Sequence, residues 1–134
     1  MALGGCAVVV PVEVAPNATE PVCASVVLAM PDSLGDGLPQ RDTTAQATTA
    51  WGDPAASVVL RCGVDQPPEY SPVSELQTVN GVDWLAVEAD GGFVFYATGR
   101  EAWVEVRVPT AYAPEVNPLV DLAAAVSGSL PLVD

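Results

Sequence analysis

The sequence predicts an α+β fold: an antiparallel sheet of about five strands, built from two hairpins, with two helices packed on one face. Three observations predict it. Asn80-Gly81 joins two β-rich runs. AWVEVRV at 102–108 alternates apolar and polar residues. Two apolar stretches, near residues 20–30 and 118–128, carry helical spacing and have prolines at their boundaries.

The elements follow in chain order. AVVVPVEVAPNA (7–18) mixes Val with Pro and lacks helical periodicity, so it is a first strand or an extended tether. Thr19 is the expected N-cap of the first helix, with Pro21 in its first turn. Cys23, Val26, Val27 and Met30 then fall on one stripe, and Pro31 stops the helix. Residues 31–55 are rich in Pro, Gly, Asp and Thr and read as a long loop with at most a short strand. SVVLRCG (57–63) is nearly continuous in apolar residues, the pattern of a central strand.

QPPEYSP (66–72) is a proline-rich connection. LQTV, Asn80-Gly81 and VDWLAV form a hairpin whose two turn residues need positive φ. Val79, Val82 and Trp84 share one of its faces, and Leu76, Leu85 and Val87 the other; both are partly apolar, and local pattern does not choose between them. GFVFYA (92–97) and AWVEVRV (102–108) flank TGRE as the second hairpin. In its last strand Ala102, Val104, Val106 and Val108 point inward, and Trp103, Glu105 and Arg107 outward. Asn117-Pro118 opens the second helix; Leu119, Leu122, Ala123 and Val126 form its inner stripe, and Ser127-Gly128 ends it. The division is a start and tether over 1–18 and a single α+β domain over 19–134.

Composition narrows the chemistry. Seventeen acids stand against four basic residues, all arginine, for a net charge of −13. The acids are scattered singly, as on a solvated surface. That field repels nucleic acid, so no nucleic-acid partner is expected. Lys, His and Ile are absent. Lys and Ile have AT-rich codons, so the usage points to a GC-rich bacterial genome. Without His or Lys there is no Ser-His-Asp or Cys-His constellation, no Schiff base and no Walker lysine. No cofactor, no metal and no catalytic residue is expected.

AWGDP (50–54), LRCG (60–63), VNGVDWL (79–85), YATGR (96–100) and VEVRVPTAYAPEVNPLVDLA (104–123) together resemble a family of actinobacterial envelope proteins, catalogued as domain of unknown function 3515. The resemblance runs from about residue 20 to the end, in the family's order. It implies an exported, membrane-associated protein with a short anchor before the domain. It implies no activity.

The cysteine count is odd: Cys6, Cys23 and Cys62. LGGC (3–6) is similar to a bacterial lipobox, in which the cysteine becomes the acylated first residue of the mature protein. Two or more acyl chains, at about 0.8 kcal/mol per buried CH₂, hold a protein stably on a membrane. A lipoprotein signal also has a charged and an apolar segment before the cysteine. Neither lies within residues 1–5, so both are expected upstream of Met1. The localisation expected is therefore export, with anchoring through Cys6 on the outer face of the cytoplasmic membrane. Cys23 and Cys62 then form a disulfide, permitted outside the cytoplasm; the alternative is two buried free thiols.

Other patterns carry less. Asp32-Ser-Leu-Gly-Asp36-Gly37 hints at a calcium loop but has Leu34 at its third position and Thr43 at its twelfth. Asp42-Thr43-Thr44 resembles half of an aspartic-protease signature without the glycine or a second copy. The arginines are more informative, because a guanidinium fork holds a carboxylate or phosphate by two hydrogen bonds. Arg41, Trp51, Asp53 and Arg100 are the candidate surface for an anionic or sugar-peptide ligand or a partner; the ordinary alternative is that these arginines pair with neighbouring Asp and Glu and fix the loop. The function expected is a non-catalytic, lipid-anchored envelope module that binds an envelope protein or a cell-wall ligand. The alternatives are a carboxylate-based hydrolase of envelope polymers and a subunit of a membrane complex recognised through residues 38–55.

Overall fold

A computed structural model describes residues 9–35 and 37–133. Cys6 and Asp36 lie outside them. Eight strands form the sheet: β1 (Ser33–Leu34), β2 (Leu38–Arg41), β3 (Thr48–Trp51), β4 (Val58–Val64), β5 (Gln77–Val79), β6 (Val82–Ala89), β7 (Gly92–Ala97) and β8 (Trp103–Pro109). They are antiparallel in the order β1-β2-β3-β4-β8-β7-β6-β5. The helices are α1 (Pro21–Ala29) and α2 (Pro118–Ser129), with a 3₁₀ turn at Thr110–Tyr112.

The α+β class stands, but the sheet has eight strands rather than about five. The extra three, β1 to β3, lie inside the segment expected to be a long loop. Pro39 lowers the local strand propensity of β2, and β3 is buried at every position, so neither shows alternation. Their strand state comes from pairing: Thr48 to Trp51 of β3 pair with Arg61 to Val58 of β4, and Gln40 and Arg41 of β2 with Trp51 and Ala50. The missed hairpin turn is Asp90-Gly91, which closes β6 onto β7 with Ala89 opposite Gly92. The Asn80-Gly81 turn is as expected, with φ of 46° and 86°.

Both helices lie over one face of the sheet. Cys23 and Val26 of α1 and Leu119, Leu122, Ala123 and Val126 of α2 are buried against Trp51, Leu60, Trp84, Val104 and Val106. Register thus resolves the hairpin: Val82 and Trp84 face the helices, and Leu85 the other side. α1 begins after Glu20 rather than Thr19, with no side-chain cap, and α2 continues through Gly128 to Ser129.

The opposite face is crossed by residues 9–18, which form no named strand. Val10 makes a single parallel bridge to Thr43. Asn17 donates to the carbonyl of Gly63 at 2.8 Å. Gly63 has φ +94° at a bulge in β4, and a β-carbon there would strike the Asn17 backbone, so only glycine lets the two segments meet. Ala15 and Ala18 pack with Val64 in a small second core beside Tyr96 and Trp103.

Candidate functional site

Three of the four sequence-predicted surface residues come together where β3 leaves the sheet. Trp51 is wholly buried and donates from its indole N–H to the carbonyl of Pro31 at 2.8 Å. It is a core anchor rather than a surface residue. Gly52 turns the chain with φ +92°. Its carbonyl accepts from Arg41 Nε at 2.8 Å. Asp53 is exposed; its Oδ1 accepts the Ala55 N–H at 2.9 Å, so the carboxylate shapes a turn.

The residue missed here is Tyr112. Its hydroxyl accepts the Asp53 N–H at 3.0 Å. A β-carbon on Gly52 would sit 2.6 Å from that oxygen, so glycine at 52 is what lets Tyr112 close on the strand end. Beside it Leu34, Leu38, Tyr112, Ala113 and Pro118 line an apolar recess of about 240 Å³. AWGDP and PTAYAPEVNP, remote in sequence, therefore build one corner.

Arg100 belongs elsewhere, in the β7–β8 connection at the other end of the strands. It donates to the carbonyls of Leu130 at 2.6 Å and Gly81 at 2.9 Å. It thus joins the C-terminus of α2, where carbonyls lack helical partners, to the β5–β6 turn.

An ion-pair network lies on the sheet face away from the helices. Glu105 is only 3% exposed although alternation points it outward. Arg61 on β4 holds it bidentately, with Nε–Oε1 at 2.9 Å and Nη2–Oε2 at 3.2 Å. Arg107, two residues along β8 on the same face, adds Nε–Oε1 at 3.2 Å. The hydrogen bond from Arg61 to Glu105 raises the guanidinium pKa further above its ordinary value, against the lowering by burial. Tyr96, opposite Glu105 on β7, is also pushed above its ordinary pKa, first by burial and then by the charges of Glu105 and Glu69. Arg61, Tyr96 and Glu105 floor a groove of about 720 Å³ whose walls are the 13–16 segment and residues 64–68. The legible signal was the spacing Glu105-Val-Arg107, which puts opposite charges on one face of a strand.

The buried carboxylate of the groove is engaged in ion pairs rather than free for proton transfer. Both oxygens of its buried carboxylate already accept guanidinium N–H bonds. Among the described residues no group of three or more His, Cys, Asp or Glu is placed to hold a metal ion.

Cys23 and Cys62 are disulfide-bonded, with Cα atoms 5.5 Å apart and a sequence separation of 39. Both are wholly buried, and the bridge ties α1 to the central strand β4. No helix among the described residues is long and apolar enough to cross a membrane.

The family model described as "Protein of unknown function (DUF3515)" matches residues 5–134. No curated protein and no solved structure matches. The chain belongs to the DUF3515 family.

Proposed function

We propose that this member of the DUF3515 family is a non-catalytic binding or accessory module of the cell envelope, exported and anchored to the outer face of the membrane through Cys6. The supporting observation is the Cys23–Cys62 bridge. A disulfide buried between a helix and a central strand is made and kept in an oxidising compartment. It also uses two of the three cysteines and leaves the one in LGGC for another chemistry. Binding is favoured over hydrolysis because the buried acid, Glu105, is saturated by two arginines.

A second role, as a subunit of a membrane complex, draws support from the apolar recess at Leu34, Leu38 and Tyr112, next to the 38–55 segment.

The test is the intact, non-reduced mass of the natural gene product taken from the membrane fraction of its own cells. An acyl-glyceryl mass gain at Cys6, with the two hydrogens of one disulfide missing, is the expected result. Recovery of an unmodified Cys6, or of the protein in the cytoplasmic fraction, overturns the anchoring.

A further inference from the structure

We infer that the solvent face of α1, with the turn at Gln46 and Ala47 beside it, rests on the lipid surface when the protein is anchored. This rests on the anchoring proposed above for its geometry and adds the orientation of the domain.

The first observation is the helix itself. Pro21–Ala29 contains no charged residue. Cys23 and Val26 fill the core, yet the other side is mostly apolar, with Ser25 as its polar residue: Leu28 keeps 87% of its surface exposed, and Ala24, Ser25 and Ala29 are exposed with it. A helix apolar on both sides calls for a second apolar neighbour. Ala24, Val27 and Leu28 form with Gln46 and Ala47 a shallow groove of about 470 Å³, in which Glu20 is the single acid among the described lining residues.

The second observation is where the chain is fastened. Val10 donates to the carbonyl of Asp42 at 2.8 Å and accepts from the N–H of Thr44 at 3.1 Å. Three residues separate Val10 from Cys6. Fully extended, they let the two Cα atoms lie at most about 14 Å apart. An acylated Cys6 therefore keeps the 42–44 segment close to the headgroups. That segment runs directly into Gln46 and Ala47, the edge of the α1 groove. Charge permits the same face: most of a surface carrying −13 is repelled by anionic lipid, while α1 is free of acids and, among the described residues, only Glu20 and Asp42 flank it in the groove and the fastened segment. The occupant of the groove is thus the bilayer interface, touched by a short apolar ridge that the anchor holds in place.

The test uses the full chain, disulfide intact, coupled through the Cys6 thiol to a maleimide-headgroup lipid in phosphatidylcholine vesicles. Because coupling is chemical, the result does not depend on whether cells acylate Cys6. Leu28→Trp places a reporter on the ridge, and Val73→Trp, at a site 89% exposed, serves as the comparison. Both substitutions are on the surface and leave the core alone. Nitroxide-bearing lipids should quench the added fluorescence of the Leu28→Trp protein and leave that of the Val73→Trp protein at its vesicle-free level. Equal quenching of both, or of neither, overturns the inference. Shielding of the Leu28→Trp reporter from acrylamide in concentrated protein without vesicles also overturns it, since a second copy would then cover the ridge.

Discussion

Glu105 shows how a single residue can contradict its own pattern. Strict alternation along β8 places it on the outer face, and it is on that face, yet it is buried. The carboxylate is retained because three guanidinium N–H bonds replace its water. Removing it leaves Arg61, with a side chain only 16% exposed, without its counter-charge. Glu105→Ala should lose about 3–5 kcal/mol in urea unfolding. Arg107→Ala, whose side chain is 56% exposed, should lose no more than about 1 kcal/mol. A loss for Arg107→Ala as large as that for Glu105→Ala would mean that the buried carboxylate cannot be held by Arg61 alone.

Tyr96 beside it makes a pH prediction. Its folded pKa lies above its unfolded value near 10, so the unfolded chain releases the proton first as pH rises. The contribution is intact below about pH 10 and is lost as pH climbs through the folded pKa. Tyr96→Phe should flatten the fall in melting temperature above about pH 10, read by thermal unfolding across that range.

At the scale of elements, the hairpins and helices were legible because each carries its own pattern. Asn80-Gly81 has the backbone freedom that a two-residue turn demands, and β8 has clean alternation. β1 to β3 have no such signal. Trp51 holds strand geometry because β4 offers ladder bonds, and Leu38 because it pairs with Leu34 of β1 in the recess lined by Tyr112. The candidate site divides the same way. The corner at Arg41, Trp51 and Asp53 could be marked by residue type, but Tyr112 joins it only through a contact 59 residues away in sequence. Arg100 was grouped with the corner by chemistry alone, and topology places it at the end of α2.

The disulfide belongs to this scale, since it pins α1 to β4. Closing a loop of 39 residues should stabilise by about 4 kcal/mol in the chain-entropy view. The Cys23→Ala/Cys62→Ala protein should unfold at correspondingly lower urea. Reductant should then shift the natural protein and leave the double variant unmoved.

Across the whole molecule, charge and coverage matter most. A net charge of −13 on 134 residues sets exposed acids against one another. Raising salt shortens the Debye length from about 10 Å at 0.1 M to about 3 Å at 1 M. The melting temperature should therefore rise between those concentrations in NaCl; a fall would show that the Arg61–Glu105–Arg107 network outweighs the general repulsion.

The amino-acid sequence by itself determined the fold class, the hairpin turn, the inner stripe of α2, that of α1 except for the half-buried Val27, the acidic composition and the absence of histidine and lysine chemistry. These are local or additive properties, read within a few residues or by counting. Only the tertiary structure decided that residues 31–55 contain strands, that Trp51 is core, that Tyr112 completes the corner, and that an outward-facing glutamate is buried between two arginines. Each depends on which segment the chain brings alongside: β3 is set by ladder partners in β4, Thr48 opposite Arg61 and Trp51 opposite Val58, while Tyr112 and Glu105 are set by contacts 59 and 44 positions away, and such pairing leaves no periodic trace in either partner.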